Sequence, residues 1–138
     1  MRRNSKIKIF IADKIHQGGI NLLAKKFHVI IKYGLSNDEL LKYIIQNPTG
    51  NTLRNTLLIR STRKINDKFI SDLKKYTPIK VIFTVSSGFD NIDIISAREH
   101  GMKVLNVPEG NFISAAEHTF ALLLAISKRL GDKHNEIL

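Results

Sequence analysis

Short runs of β-branched and other apolar residues alternate along this chain with longer amphipathic stretches. Such alternation is typical of βαβ units, in which helices connect neighbouring parallel strands. The apolar runs predict five strands, at Lys6–Ala12, His28–Lys32, Thr56–Ile59, Lys80–Val85 and Lys103–Val107. The amphipathic stretches predict five helices, at Gln17–Lys26, Ser36–Gln46, Asn66–Lys75, Ile92–His100 and Ser114–Leu130. We therefore predict an α/β fold with one doubly wound, five-stranded parallel sheet and helices on both of its faces.

Capping residues support three of these helix starts. Ser36 with Glu39, and Ser114 with Glu117, have capping-box spacing, in which a hydroxyl and a carboxylate three residues apart satisfy backbone donors at a helix start. Asn66 is a favoured N-cap residue for the third helix. The caps therefore predict helix starts at these three positions.

The last predicted helix is apolar almost all round, which is typical of a helix that is buried on several sides. Its apolar stretch, Thr119–Ile126, is much shorter than the roughly 20 residues that a membrane span requires. We therefore expect this helix to pack against another domain and not to enter a membrane.

Composition fits one ordinary soluble domain. Of the 138 residues, 43% are apolar and 25% are charged, values close to the average for globular proteins. The absence of cysteine excludes disulfides, a thiolate nucleophile and a cysteine zinc site. Near the amino terminus the apolar run Ile9–Ala12 stops at Asp13, which makes it too short for a signal peptide. A cytoplasmic protein is therefore predicted.

The basic residues are numerous but dispersed. The chain has 22 Lys and Arg against 12 Asp and Glu, so its formal net charge is +10. This excess favours anionic ligands in general. A nucleic-acid site usually combines clustered cations with exposed aromatic side chains, and the sequence does not show that combination. We therefore expect no nucleic-acid partner.

The histidines do not indicate a metal site. Glu117–His118 places a carboxylate beside a histidine, but neighbouring residues of a helix point to different faces. The other histidines lack metal-ligand spacing; they are His16, His28, His100 and His134. No metal ion is expected.

Candidate chemistry lies at the carboxyl ends of the predicted strands, where open parallel α/β sheets bind their ligands. Arg60 and Ser61 follow the third strand, and Ser86-Ser87-Gly88 follow the fourth. A guanidinium can bind a carboxylate or phosphate through two hydrogen bonds, and a glycine turn can present N–H groups to an oxyanion. A solvated strand-end charge and an ordinary turn also explain these residues. Together, the cation, the hydroxyls and the glycine turn at these strand ends suit the binding of a small anion.

The glycine pattern speaks against a nucleotide site within these residues. None of the 8 glycines falls into G-x-G-x-x-G or a Walker-type loop. A phosphoacceptor domain of similar architecture is also disfavoured, because it needs an acidic residue at the end of strand three, where Arg60 stands.

A series of motifs then follows in order and spacing along the chain. They are Ile11–Ile15 with Gly19-Ile20, Tyr33–Ser36, Ile59–Thr62, Gly88–Asp93, Asn106–Pro108 and Gly110–Thr119. With these motifs the chain resembles the amino-terminal part of the D-isomer-specific 2-hydroxyacid dehydrogenases over about residues 6–130. Within that family it is most similar to the phosphoglycerate dehydrogenases.

The resemblance implies a flavodoxin-like substrate domain and a helix, residues 113–130, that leads toward a Rossmann domain holding NAD. It also implies site roles. Ser87 and Gly88 would donate backbone N–H groups to the substrate carboxylate, and Arg60 with Ser61 would approach the anionic end of the substrate. Asn111 would line the cleft near the nicotinamide.

The chain departs from the family pattern in two ways. The NAD fingerprint and the catalytic Arg, Glu and His of the family lie downstream of residue 138, so His118 is not the catalytic histidine and no NAD is expected to bind this chain. Ser86 stands where phosphoglycerate dehydrogenases usually carry glycine. Because the implied contacts come from backbone groups, we expect the turn to be preserved.

The leading hypothesis is that residues 1–138 form the substrate-binding domain of an NAD-dependent D-2-hydroxyacid dehydrogenase, inactive alone. Its substrate would be a small anionic 2-hydroxy acid, with phosphoglycerate oxidation in serine biosynthesis as the specific expectation. Its expected partners are the missing Rossmann domain and, through helix 113–130, a second copy of the chain. A stand-alone module that binds a small carboxylate, or regulates without redox activity, is the alternative.

Overall fold

The computed structural model describes residues 7–47 and 55–130 as a series of alternating strands and helices. The strands are β1 (Lys8–Ile11), β2 (His28–Ile31), β3 (Asn55–Ile59), β4 (Ile79–Thr84) and β5 (Lys103–Leu105). The helices are α1 (Gln17–Lys26), α2 (Asn37–Gln46), α3 (Asp67–Tyr76), α4 (Ile94–Glu99) and α5 (Phe112–Ser127). Two residues used in the sequence predictions, Lys6 and His134, lie outside the described residues.

The strands form one parallel sheet in the order β2-β1-β3-β4-β5. The first crossover runs outward from β1 to β2, and the chain then returns past β1 to build the other side of the sheet. This is the flavodoxin-like strand order, and it confirms the predicted fold class.

Helices cover both faces of the sheet. On one face α2, α3 and α4 pack on β1, β3 and β4, around buried side chains that include Leu57, Ile70 and Ile82. On the other face α1 packs through Ile20 against Ile9 and Leu58. Each strand contributes side chains to both faces, because successive side chains of a strand point to opposite sides of the sheet.

The element boundaries agree with the predictions to within two residues, apart from the carboxyl end of α5, and α4 shows one of the two-residue differences at its start. It begins at Ile94 and not at Ile92, because Asp93 is the N-cap and its carboxylate accepts the N–H of Ser96 at 2.9 Å. Ile92 instead forms a parallel bridge with Ile65.

The start of α5 is a second correction. The helix begins at Phe112 and ends at Ser127, whereas the sequence predicted Ser114 and Leu130. Ala115 N–H donates to the carbonyl oxygen of Asn111 at 2.9 Å, so the first turn is already closed around Ser114. Asn111 holds the N-cap position without a side-chain cap hydrogen bond, and the capping box predicted for Ser114 and Glu117 is wrong.

The chain divides into two compact units, residues Met1–Val107 and residues Pro108–Leu138. The first contains the sheet and α1 to α4, and the second contains α5. α5 buries none of its own side chains. Among the described helices, none combines the length and the apolar character that a membrane crossing would need.

Candidate functional site

Two neighbouring loops leave the sheet side by side at the carboxyl ends of β3 and β4. The strands pair in parallel up to Ile59 and Thr84, and Val85 N–H donates to the carbonyl oxygen of Ile59 at 2.9 Å. Arg60 and Ser86 therefore begin adjacent loops at one edge of the sheet. The sequence placed its candidate anion site at this edge.

The loop after β3 is anchored by the carboxylate of Asp13, which lies just after β1. One oxygen of Asp13, Oδ2, accepts the backbone N–H of Arg60 at 2.9 Å. The other, Oδ1, accepts from the Nη2 of Arg63 at 2.9 Å and from its Nε at 3.1 Å. The carboxylate therefore closes the turn between Arg60 and Arg63 from the side of the neighbouring strand.

The guanidinium of Arg63 is engaged on all sides. Besides Asp13, it donates from Nη1 to the Oδ1 of Asn37 at 2.9 Å and from Nη2 to the carbonyl oxygen of Leu35 at 3.0 Å. Its side chain is only 10% exposed, and that of Asp13 is 16% exposed. A buried guanidinium with this many acceptors is part of the framework and not a free cation for a ligand.

Two asparagines complete the anchoring of this loop. The amide of Asn91, which follows β4, donates to the carbonyl oxygens of Arg63 at 2.8 Å and Arg60 at 3.3 Å. The amide of Asn37 donates to the carbonyl oxygen of Lys64 at 2.8 Å. The backbone after β3 is thus held by side chains from three other segments.

The loop after β4 is held by serine, threonine and asparagine side chains. The hydroxyls of Thr84 and Ser86 lie 2.6 Å apart, and Ser86 Oγ donates to the carbonyl oxygen of Gly88 at 2.8 Å. The amide of Asn106, just after β5, donates to the carbonyl oxygen of Ser87 at 2.6 Å. Ser86 therefore stabilises the turn through its hydroxyl.

The two loops are also joined to each other. Ile65 N–H donates to the carbonyl oxygen of Asn91 at 2.8 Å, and Asp93 N–H donates to the carbonyl oxygen of Ile65 at 2.9 Å. These bonds form the parallel bridge between Ile65 and Ile92. The loops after β3 and β4 consequently form one hydrogen-bonded platform.

The site residues predicted from the sequence occupy different settings on this platform. Arg60 and Ser61 are exposed, and the Arg60 guanidinium makes no ion pair or hydrogen bond with the described part of the chain. Ser87 is half-buried and Gly88 is exposed. Because β3 and β4 are paired in parallel, Arg60 and Ser61 lie beside Ser87 and Gly88 at the carboxyl ends of these strands.

Asn111 belongs to the second unit, where it precedes α5. Its backbone carbonyl accepts the N–H of Ala115, and its side chain is exposed. The platform of the first unit is therefore built without Asn111.

Sequence reasoning missed the residues that hold the platform, above all Arg63. Asp13 had been recognised only as a strand end, and Arg63 received no role. A signal was present, because opposite charges stood at the ends of two strands that a doubly wound sheet makes neighbours. Asn37 and Asn91, by contrast, have no sequence pattern that marks them as anchors.

A shallow groove of about 440 Å³ begins next to the platform and runs along α4 and β5. Its lining is mainly apolar, with cations at its rim, and comprises Phe89, Ile94, Ala97, Arg98, Gly101, Met102, Lys103, Val104 and Asn106. None of the five predicted site residues lines it. Across residues 7–47 and 55–130, no three His, Asp or Glu side chains converge to hold a metal ion.

Comparison with known proteins shows which family model and which relatives most of this chain matches. The family model "D-isomer specific 2-hydroxyacid dehydrogenase, catalytic domain" matches residues 9–129. A D-3-phosphoglycerate dehydrogenase of Synechocystis is 32% identical over 130 residues, which cover 94% of this chain and 22% of that protein. The chain thus spans about a fifth of the length of this relative.

Solved structures support the fold. The PH0520 protein of Pyrococcus horikoshii has a TM-score of 0.72 at 24% identity, with 96% of this chain and 37% of that chain covered. An NAD⁺-bound 3-phosphoglycerate dehydrogenase of Entamoeba histolytica has a TM-score of 0.65 at 19% identity, with 87% and 39% covered. At these identities the likeness extends to the fold alone.

Proposed function

The chain belongs to the D-isomer specific 2-hydroxyacid dehydrogenase family, whose catalytic-domain model matches residues 9–129, and from this we propose that it forms the substrate-binding domain of an NAD-dependent D-2-hydroxyacid oxidoreductase. The substrate we propose is D-3-phosphoglycerate. Support for this choice comes from the similarity to a D-3-phosphoglycerate dehydrogenase over 94% of the chain.

The observation that carries the proposal is the contrast between two arginines on one platform. Arg63 is enclosed by Asp13, Asn37 and the carbonyl oxygen of Leu35, whereas Arg60 is exposed and has no carboxylate partner among the described residues. A rigid loop that presents one uncompensated guanidinium suits recognition of a carboxylate or phosphate. Arg60 is therefore the cation we assign to the anionic end of the substrate.

The turn after β4 supplies the second half of the site. The N–H of Gly88 makes no hydrogen bond within the described part of the chain, and the carbonyl oxygens of Ser87 and Gly88 are already occupied by Asn106 and Ser86. Donors of Ser87 and Gly88 would hold the substrate carboxylate, while Ser61 and Arg60 hold the other end. Holding both ends orients the C2–H bond of the hydroxy acid, and such positioning lowers the barrier to its transfer.

The described residues of this chain do not fit NAD. A dinucleotide needs an open helix N-terminus after a glycine-rich turn to receive its pyrophosphate. At the N-terminus of α1 the His16 ring fills that place: its Nδ1 accepts the N–H of Gly18 at 3.1 Å, and a Cβ on Gly18 would meet the ring at the same distance. We therefore propose that the chain binds substrate only, with Asn111 facing a cofactor held elsewhere, and that the isolated chain is inactive.

The test is a titration of 3-phosphoglycerate into the isotopically labelled chain at low salt, followed by NMR, with NAD in a parallel tube. We expect saturable amide shifts at Arg60, Ser87 and Gly88 with phosphoglycerate, and none with NAD. Arg60→Met should weaken binding about tenfold or more, since a charge-assisted bidentate contact is lost.

Two comparisons make this test decisive. Lys25→Gln removes one exposed cation from the last turn of α1, outside the platform, and should leave binding unchanged. Glycolate, which keeps the hydroxy-acid group and lacks the phosphate, should bind more weakly and shift Ser87 and Gly88 more than Arg60. Equal affinities in the wild type and in Arg60→Met would overturn the assignment of Arg60, and saturable shifts with NAD would overturn the substrate-only domain.

A further inference from the structure

We propose that Asn91 is a positioning residue of the substrate site, because its side chain sets the separation between the two groups that hold the ends of the substrate. The inference rests on the proposed function, in which Arg60 binds one end of the substrate and Gly88 the other. Asn91 follows Gly88 in the loop after β4, and its amide reaches the loop after β3. It acts through these two residues and not on the substrate itself.

The amide nitrogen of Asn91 joins both ends of the turn that begins at Arg60. It donates to the carbonyl oxygen of Arg63 at 2.8 Å and to that of Arg60 at 3.3 Å. A primary amide carries two N–H groups, so one hydrogen is available for each carbonyl. The Arg60 carbonyl oxygen also accepts the N–H of Arg63 at 3.2 Å, which closes the turn. A side chain of one loop therefore holds the turn of the other.

The backbone of Arg60 is engaged on both sides of its Cα. Its N–H donates to the Oδ2 of Asp13 at 2.9 Å, and its carbonyl oxygen accepts from Asn91 and from Arg63. The Arg60 guanidinium, by contrast, makes no ion pair or hydrogen bond with the described residues. The root of this side chain is therefore fixed, while the charged end is available to a ligand.

Asn91 is itself fixed relative to the loop after β3. Its carbonyl oxygen accepts the N–H of Ile65 at 2.8 Å, so both its backbone and its side chain bond to that loop. Ile92 N–H donates to the carbonyl oxygen of Phe89 at 2.9 Å, which closes a turn directly after Gly88. A short, hydrogen-bonded segment thus connects Gly88 with Asn91, and Asn91 with Arg60.

Strand pairing alone does not hold Arg60 beside the loop after β4. The last hydrogen bond along the paired strands runs from Val85 N–H to the carbonyl oxygen of Ile59, one residue before Arg60. Within the part of the chain that the structure describes, Arg60 bonds to the loop after β4 through Asn91. This one contact therefore fixes Arg60 against the loop that carries Gly88.

A ligand that is held at both ends gains affinity from a fixed separation of the two groups that hold it. Once one end is bound, the other end meets its partner at an effective concentration that depends on how firmly the two groups are held together. Freedom that remains in the site has to be lost on binding, which weakens affinity. A ligand held at one end does not depend on this separation. Loss of the Asn91 amide should therefore weaken two-ended ligands selectively.

The experiment is a set of NMR titrations of the full 138-residue chain at constant ionic strength, with the amides of Arg60 and Gly88 as probes. The ligands are 3-phosphoglycerate, which has both ends, and glycolate and inorganic phosphate, which have one each. Asn91→Leu keeps the approximate size of the side chain and removes its N–H donors. We expect this variant to bind 3-phosphoglycerate about tenfold more weakly or worse, with the affinities for the other two ligands within about twofold of wild type.

Two further variants make the titrations specific to the Asn91 contacts. Asn21→Leu makes the same chemical change at an exposed position of α1 and should leave the affinities for all three ligands unchanged. Asn91→Ser has a side chain that is too short to reach the two carbonyls and adds no apolar bulk. It should show the same selective loss, and it provides the measurement if Asn91→Leu does not fold.

The outcomes separate this inference from the proposed function. Unchanged affinity for 3-phosphoglycerate in a folded Asn91 variant, or equal losses for 3-phosphoglycerate and glycolate, would overturn the positioning role of Asn91. If Arg60→Met weakens 3-phosphoglycerate binding while both Asn91 variants bind like the wild type, the proposed function stands and the inference fails. A wild-type chain that does not bind 3-phosphoglycerate overturns both.

Discussion

The Nη2 of Arg63 lies 2.9 Å from the Oδ1 of Asp13, across 50 positions of sequence, and this pair holds the loop that presents Arg60. The other carboxylate oxygen of Asp13 accepts the backbone N–H of Arg60 itself. The side chain of Asp13, just after β1, therefore both neutralises the structural arginine and fixes the backbone of the exposed one. Four predictions follow from this and other contacts.

Removing Arg63 should destabilise the fold. In Arg63→Met the carboxylate of Asp13 keeps only the N–H of Arg60 as a charge-compensating donor, and the acceptors on Asn37 and Leu35 lose their partner. We expect the free energy of unfolding to fall by about 2–3 kcal/mol, measured by urea denaturation, since a mostly buried charge is left without its partner.

A matched control is Arg98→Met, which removes an exposed arginine from α4 and should change the free energy of unfolding by less than about 0.5 kcal/mol. Arg60→Met should behave like this control in stability while losing substrate affinity. Similar stability losses in Arg60→Met and Arg63→Met would contradict the division of roles between the two arginines.

The capping box of α2 should make the start of this helix sensitive to acid. Hydrogen bonds from the backbone and hydroxyl of Ser36 hold the pKa of Glu39 below its usual value of 4.5. The stabilisation is therefore present above pH 4.5 and is lost as the pH falls through the lower, folded-state pKa. An NMR titration of the Glu39 carboxyl carbon should show this lowered midpoint.

Ser36→Ala removes the hydroxyl contact and should move the midpoint of Glu39 back toward 4.5. Ser61→Ala, at an exposed serine of the loop after β3, should leave the midpoint where it is. An unchanged midpoint in Ser36→Ala would show that the hydroxyl does not hold this carboxylate.

The lowered pKa of Lys80 should make stability rise with pH toward 10.5. The pKa of Lys80 is lowered from 10.5 by the hydrogen bond with Lys74, by burial and by the charge of Lys74. Because the unfolded chain binds the proton more tightly, stability increases as the pH rises through the folded-state pKa toward 10.5. Urea denaturation at several pH values measures this slope.

Lys80→Gln relieves the repulsion at neutral pH and should therefore unfold at a higher urea concentration than the wild type. This advantage should shrink as the pH approaches 10.5, where the wild-type amine becomes neutral. Lys25→Gln should show neither effect. A destabilised Lys80→Gln variant would mean that the two amines do not oppose each other.

The apolar surface of α5 should cause the chain to self-associate. Phe120, Leu123 and Ile126 are 66%, 62% and 78% exposed, and no charged residue lies between them. Exposed apolar patches of this kind drive association between copies. Sedimentation equilibrium should show a mass that grows with protein concentration.

Leu123→Lys places a charge in the middle of this surface and should shift the equilibrium to the monomer. Glu117→Gln, which changes the charge of α5 near its start, should not weaken association. A monomer at all concentrations in the wild type would exclude α5 as a self-association surface.

What the sequence by itself determined is local in origin. The alternation of apolar runs and amphipathic stretches was sufficient to predict five parallel strands and their helices, because burial on a helix or strand imposes its own period. The cap of α2 was also predictable, since Ser36 and Glu39 are only three residues apart. The strand-end position of Arg60 and the turn at Gly88 followed from the same local pattern.

Tertiary structure decided which of these residues is engaged and which is exposed. Whether Arg60 or Arg63 binds Asp13 depends on contacts that span 47 to 50 positions, and these exist only once β1 lies beside β3. The capping box predicted for Ser114 and Glu117 does not form, because α5 already begins at Phe112. Its first turn is closed by the hydrogen bond from Ala115 N–H to the carbonyl oxygen of Asn111. Short-range patterns determine elements, whereas the partners of charged side chains are determined by strand order and packing.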